Sequence, residues 1–157
     1  MTPRIGISAA ILAIGFCAAV VSCCVRADAP EYRPSDALAH WFASLDRPDF
    51  DASVDSVISC CDAGDAYPIV ILQEATIGGG QLDGIAEVTD PGPRTVIKPN
   101  GDRKYRQPWA GPLRFAFPGK KVTREIKGNP TSTAWVFATT YTGTPTIYCV
   151  VPLPPGV

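Results

Sequence analysis

The sequence predicts an α+β domain in which one N-terminal helix packs on a small, mainly antiparallel β-sheet that ends in a C-terminal β-hairpin. Three observations predict this class. Proline and glycine number 16 and 14 in 157 residues, which favours turns and short strands over long helices. Only residues 36–45 repeat their apolar side chains at helical spacing. The remaining apolar runs are short, often β-branched and bounded by turn residues.

The first 27 residues differ in composition from the rest. Arg4 is the only charged side chain before residues 5–25, a run that carries no charge at all, and Ala27 offers a small residue just beyond it. A basic start, an apolar run and a small-residue site are typical of a secretory signal peptide. We therefore expect cleavage after Ala27, which leaves a single exported domain over 28–157.

Two alternatives to cleavage remain open. The apolar run is long enough to span a bilayer as an uncut anchor, and Val20–Cys23 resembles a lipobox that would lipidate Cys23. All three possibilities carry the domain across a membrane, so we expect a periplasmic or extracellular protein. Contact with a membrane is expected only through an uncut or lipidated N-terminus. An oxidising compartment permits disulfide bonds.

Cleavage leaves three of the six cysteines in the mature chain: Cys60, Cys61 and Cys149. Adjacent cysteines seldom bond to each other, because successive side chains of an extended chain point apart and the resulting ring is strained. We expect a disulfide between Cys149 and either Cys60 or Cys61, and one spare thiol. In a lipidated protein Cys24 is also retained and is a candidate partner for that thiol.

The helix is expected to begin after Ser35, whose side chain suits an N-cap, with Asp36 at the favourable end of the helix dipole. Its apolar face consists of Ala37, Leu38, Trp41, Phe42 and Leu45. His40 falls outside this face and is expected to be partly exposed, and Pro48 is expected to end the helix.

Six later segments are expected to form strands, because each is apolar or alternating and lies between turn residues: 69–73, 84–89, 94–98, 113–117, 133–141 and 146–151. The turn residues Thr142–Pro145 join the last two segments into the predicted hairpin. Cys149 lies in this hairpin, which should therefore pack near the Cys60–Cys61 segment.

The formal net charge of −1 conceals a strong asymmetry. Residues 28–90 contain 13 acidic and two basic side chains, whereas residues 91–157 contain two acidic and ten basic ones. We expect the halves to fold against each other so that these charges interleave. The alternative is a basic surface for anionic envelope polymers or lipid head groups, formed by Arg103, Lys104, Arg106, Lys120, Lys121 and Arg124. Nucleic acid is not expected, because no aromatic–basic motif accompanies the charges.

The acidic connection after the helix only partly resembles a calcium loop. Its alternating polar residues are Asp49, Asp51, Ser53 and Asp55. Val54 and Cys60 stand where such a loop needs glycine and glutamate, so we expect a solvated loop. The cysteines also lack the spacing of a zinc site. The glycines Gly78–Gly80 lack a phosphate-loop context and are expected to form a turn. No metal or other cofactor is expected.

Asp62 and Asp65 follow the cysteine pair and are expected to accept backbone N–H bonds at a turn or helix start. With His40 they are also weak candidates for a metal site or for the acid–base groups of a small hydrolase. A thiol enzyme would use Cys60 or Cys61 as nucleophile, with His40 as base and Asp62 to orient it. It would need a nucleophile motif, and none is present locally.

Three segments resemble a group of short, uncharacterised secreted proteins of bacteria, many of them proteobacteria: SCCDAGDAYP, GNPTSTAWVF and YCVVPLPPG. The shared features are a W-x-x-x-L helix, a CCD-x-x-D segment, an NPT-x-x-A-W strand and a C-terminal cysteine before a proline-rich end. In some members a third cysteine follows the second acid, where Ala66 stands here. The resemblance implies export and a small shared fold, but no activity and no catalytic residue.

These observations predict a non-enzymatic, disulfide-stapled interaction or structural module of the bacterial envelope, whose partner is an envelope component or a protein. Two alternatives remain open. One is a small periplasmic hydrolase or metal-dependent enzyme that uses Asp62, Asp65 and His40. The other is a binder of anionic envelope polymers that uses the basic C-terminal half.

Overall fold

A computed structural model describes residues 29–75, 83–123, 129–141 and 143–153. Within these ranges the chain forms two α-helices, one 3-10 turn and eight strands, which confirms the α+β class. None of the helices in these ranges is long and apolar enough to cross a membrane. The predicted signal segment 1–27, the glycines Gly78–Gly80 and the basic residue Arg124 lie outside the described residues.

The elements follow one another in the order strand, two helices and seven strands. The helices are α1 (Asp36–Ala43) and α2 (Cys60–Ala63), and the 3-10 turn covers Gly119–Lys121. The strands are β1 (Glu31–Tyr32), β2 (Asp65–Gln73), β3 (Gly84–Val88), β4 (Arg94–Ile97), β5 (Arg103–Arg106), β6 (Arg114–Phe117), β7 (Ala134–Thr139) and β8 (Thr146–Val151).

Helix α1 starts at the predicted cap, Ser35, and ends at Ala43, before the predicted stop at Pro48. The Ser35 hydroxyl accepts a hydrogen bond from the Leu38 backbone N–H at 3.2 Å. The helix ends at Ala43, because the Ser44 N–H and hydroxyl both turn back to carbonyls of the last turn. Its buried face consists of Leu38, Trp41 and Phe42, whereas the predicted face residue Ala37 is exposed.

The larger sheet has five strands in the order β6-β3-β2-β7-β8, all antiparallel. Strand β7 is buried along Ala134–Ala138, so its alternate residues enter two separate cores. Trp135 and Phe137 face α1, and the Phe42 ring meets both of them edge-on at 5.0 and 5.2 Å between centroids. Val136 faces the opposite core with Tyr67. The predicted C-terminal hairpin is β7–β8, with Phe137 opposite Cys149.

A second sheet of three strands was not anticipated as a separate unit. Its order is β1-β4-β5, with β1 parallel and β5 antiparallel to the central strand β4. Strand β1 has two residues, and β5 has the sequence RKYR without apolar alternation. Such segments carry little strand signal of their own, and pairing with β4 determines their conformation.

The acidic connection between the helices is a closed loop. An isolated bridge joins Asp46 and Ser59, and the Cys60 N–H donates to the Leu45 carbonyl at 2.8 Å. The Asp51 carboxylate accepts hydrogen bonds from Ser53, and the Asp55 carboxylate accepts them from Arg47 and from the Asp51 backbone N–H. The loop therefore brings the start of α2 back to the end of α1.

The cysteine pair divides into one buried bridge and one free thiol. Cys60 bonds to Cys149 across 89 residues, with 5.9 Å between the Cα atoms, and both residues are fully buried. Cys61 is free and partly buried. Gly64 completes the junction, because a Cβ at this position would lie 2.7 Å from the backbone nitrogen of Ala138. The segment SCCDAGD is thus anchored to both strands of the hairpin.

Removal of the bridge is expected to destabilise the domain strongly. The Cys60→Ala/Cys149→Ala double variant should lose about 4 kcal/mol of unfolding free energy, because the bridge closes a long loop in the unfolded chain. Urea unfolding followed by tryptophan fluorescence measures this loss. Cys61→Ala is the matched control and should change stability by less than about 1 kcal/mol. A double variant as stable as the parent would contradict the structural role of the bridge.

Candidate functional site

A groove of about 490 Å³ lies between the three-stranded sheet and the layer formed by α1, α2 and the first half of β2. Its apolar lining includes Phe42 from α1, Val96 from β4 and Trp135 from β7, and Tyr32 from β1 closes one side. Apolar walls with a few polar groups, in a volume of this size, are typical of small-ligand sites. The groove is therefore the candidate functional site.

Strands β4 and β5 place four cations on the groove. Arg94, Val96 and Lys98 alternate along one strand and its extension, so they share a face. The antiparallel register sets Arg106 opposite Arg94 and Lys104 opposite Val96. All five side chains line the groove. The result is an apolar centre at Val96 with basic side chains around it.

The Asp90 carboxylate pairs with both Arg94 and Arg106 and so offsets the repulsion between their positive charges. Like charges directly opposite each other on a sheet are destabilising. The Asp90 carboxylate accepts hydrogen bonds from Arg94 Nε at 3.0 Å and from an Arg106 terminal nitrogen at 2.9 Å. A second bond from Arg94 at 3.2 Å makes that pair bidentate. One carboxylate thus serves two guanidinium groups.

Arg106 is the most deeply placed of these cations, with 5% of its surface exposed. Its terminal nitrogens also donate to the carbonyls of Ala66 and Gly92 at 3.3 and 2.6 Å, and the guanidinium lies 4.9 Å from the Tyr67 ring centroid. The Ala66 carbonyl belongs to the half of β2 that does not pair with β3. Arg106 therefore stabilises the edge of β2 that β3 does not cover, as well as one wall of the groove.

The pKa of Asp90 reflects two opposing causes. Burial raises it, but hydrogen bonds from Arg94 and Arg106 and the positive charges of both arginines together outweigh burial, so the pKa lies below its usual value. A carboxyl whose pKa is lower in the folded state adds stability above its unfolded pKa. That stability is lost as the pH falls through the folded pKa.

Asp65 is also tied into the fold, and its position corrects the sequence prediction. It does not shape a turn or a helix start but begins β2 and pairs with Ala138. Its carboxylate contacts the Lys104 ammonium at 3.1 Å and accepts the Gln107 backbone N–H at 3.2 Å. Pairing with β7 overrides the local turn tendency of the aspartate. Asp62, by contrast, does lie in the first turn of α2 and is exposed.

Cys61 lines the groove beside these charges. Burial raises the pKa of its thiol, and the positive charge of Lys104 offsets that effect only in part. The group therefore stays a protonated thiol at neutral pH, and thiols are much poorer nucleophiles than thiolates. The free cysteine is a wall of the groove and is not activated for attack.

The residues proposed for an enzyme do converge on this groove. His40, Asp62 and Asp65 all line it, although Asp65 is already engaged by Lys104 and Gln107. Among the described residues, no group of three or more histidine, cysteine, aspartate or glutamate side chains is arranged to hold a metal ion.

The predicted basic surface is largely neutralised by acids of the other half of the chain, as the interleaving hypothesis expects. Its paired members are Arg103 with Glu31, Lys104 with Asp65, Arg106 with Asp90 and Lys121 with Asp49. Lys120 is exposed in the 3-10 turn. Sequence reasoning missed Arg94 and Lys98 as groove-lining cations. In the segment RTVIK (94–98) they alternate with Val96, and this alternation could have indicated that the three side chains share one face.

Trp135 connects the groove to the turn before β7 that contains Asn129 and Thr131. Its indole N–H donates to the Thr131 hydroxyl at 3.2 Å. Asn129 accepts hydrogen bonds from the N–H and the hydroxyl of Thr131 at 2.9 and 2.8 Å. The NPT segment is therefore a turn that orients a groove-lining aromatic ring.

In comparisons with known proteins, no family model, no curated protein and no solved structure matches this chain. The function is therefore inferred from the groove.

Asp90→Asn is expected to cost about 2 kcal/mol at neutral pH, because it leaves two arginines, one of them buried, without their carboxylate. The difference in stability from the parent should begin to shrink below the ordinary carboxyl pKa of about 4. It should disappear only as the pH falls through the lower pKa of folded Asp90. Urea unfolding at a series of pH values measures the difference. Asp62→Asn is the matched control and should remain close to the parent. A difference that stays constant down to about pH 2 would show that the charge of Asp90 is not responsible.

Proposed function

We propose that this protein is an exported, non-enzymatic binding module, stapled by the Cys60–Cys149 disulfide, whose groove holds its ligand. The observation that carries the proposal is the position of the bridge relative to the groove. Cys60 is bonded in the core, and the next residue, Cys61, lines the groove. The covalent bond therefore holds one wall of the site on the hairpin.

The state of the polar groups supports binding over catalysis. Asp90 and Asp65 are each held by basic side chains, and the pKa of the Cys61 thiol is raised. A general base or a nucleophile needs a free lone pair near neutral pH. Polar groups that are already paired act instead to orient a ligand in an apolar site.

Export is supported by two features together. The first 27 residues have the composition of a signal peptide, and disulfides of this structural kind persist in oxidising compartments. An uncut or lipidated N-terminus would place the same module at a membrane surface. The proposal therefore covers a periplasmic or extracellular module of the bacterial envelope.

An enzyme is the competing candidate, because His40, Asp62 and Asp65 line one groove. Its weakness is that the Asp65 carboxylate is already paired with Lys104 and already accepts the Gln107 backbone N–H. A binder of anionic polymers has less support, since most of its predicted cations have acidic partners.

Binding in the groove can be tested with an uncharged apolar dye, N-phenyl-1-naphthylamine. The parent should enhance its fluorescence saturably. Ala43→Trp places a bulky ring at the groove and should weaken the dye about tenfold or more, because the ring occupies the volume that the dye needs. Ala37→Trp is the matched control, because Ala37 is equally exposed on α1 but does not line the groove.

Equal dye binding by both tryptophan variants would contradict the proposal that the groove is the binding site. The enzymatic alternative predicts a different pattern. Under it, His40→Ala and Asp62→Asn would abolish a hydrolytic activity while leaving stability and dye binding unchanged.

A further inference from the structure

We propose that the groove takes a small amphipathic monocarboxylate, with its apolar body against the aromatic wall and its carboxylate at Lys98. This inference rests on the proposed function, because it names the ligand class of the same groove. It comes from the charge balance of the lining, the location of the unbalanced charge and the size of the groove.

Four cations and three carboxylates line the groove: Arg94, Lys98, Lys104 and Arg106 against Asp62, Asp65 and Asp90. The formal charges of these seven side chains therefore sum to +1. A single positive excess inside a partly desolvated site favours a monoanion, because a dianion would bring one more negative charge than the lining can balance.

The excess positive charge of the lining lies at Lys98. Asp90 is shared by Arg94 and Arg106, and Asp65 is taken by Lys104. Lys98 forms no ion pair with any described residue, and its side chain is exposed at the groove. It extends the face of β4 two residues beyond Val96, the residue that stands opposite Lys104 in the strand register. The ammonium group of Lys98 is thus available at one end of the groove.

The apolar part of the lining suits the body of the ligand. Phe42, Trp135 and Tyr32 contribute rings to the lining, and Ala39 and Ala43 leave space along α1. A volume of about 490 Å³ lies in the range that encloses a small organic molecule. An aliphatic or aromatic body buries against these walls while its carboxylate reaches Lys98.

The test compares amphiphiles of opposite charge on the full chain, each below its micelle concentration. Decanoate should displace N-phenyl-1-naphthylamine from the groove, and decyltrimethylammonium should do so several-fold less well. Lys98→Gln should weaken decanoate about two- to fivefold, the size of effect expected for one partly exposed ion pair. Lys120→Gln is the matched control, because Lys120 is an exposed lysine outside the groove lining, and it should leave decanoate affinity unchanged.

The possible outcomes distinguish failure of the carboxylate assignment from failure of the proposed function. Equal displacement by both amphiphiles, or a Lys98→Gln variant that binds decanoate as tightly as the parent, would overturn the carboxylate assignment and leave the groove as a binding site. If the dye itself does not bind, calorimetric titration with decanoate measures directly whether a monocarboxylate binds. Saturable heat that Lys98→Gln weakens supports the assignment, and its absence overturns both proposals.

Discussion

The Cys60–Cys149 bridge is the interaction on which the helical side of the molecule depends. Helix α1 has eight residues and α2 has four, and helices of this length are not stable alone in water. They persist because an apolar face packs on β7 and because the bridge ties α2 to β8. The closed loop between Asp46 and Ser59 then carries this restraint back to the end of α1.

A second set of interactions, the ion pairs of Asp90 with Arg94 and Arg106, holds the opposite wall of the groove. The three-stranded sheet is small, and its two long strands set Arg94 directly opposite Arg106. The Asp90 carboxylate offsets the repulsion between these two guanidinium groups. The buried Arg106 side chain also donates a hydrogen bond to the Ala66 carbonyl at the edge of β2 and so links the two sheets. The groove therefore lies between a wall fixed covalently and a wall fixed by ion pairs. Under the proposed function, these two restrained walls would preorganise the groove for its ligand.

Sequence reasoning identified those features whose signal is local. The cap at Ser35 and the apolar hairpin strands are examples, and counting cysteines left Cys149 paired with one of two neighbours. The choice of Cys60 follows from burial, which depends on how α2 meets α1 and β7. The first half of β2 was missed because Asp65 and Pro68 weaken its strand pattern. The groove itself needs the register of β4 on β5, which no single segment encodes.

Hydrogen exchange with mass spectrometry, before and after reduction of the bridge in a Cys61→Ser background, tests the central claim most directly. If the bridge holds the wall of the groove, reduction should accelerate amide exchange in residues 36–63 by about tenfold or more, while β2, β3 and β7 keep most of their protection. Unchanged exchange in residues 36–63, or an equal loss of protection throughout the described part of the chain, would contradict the account.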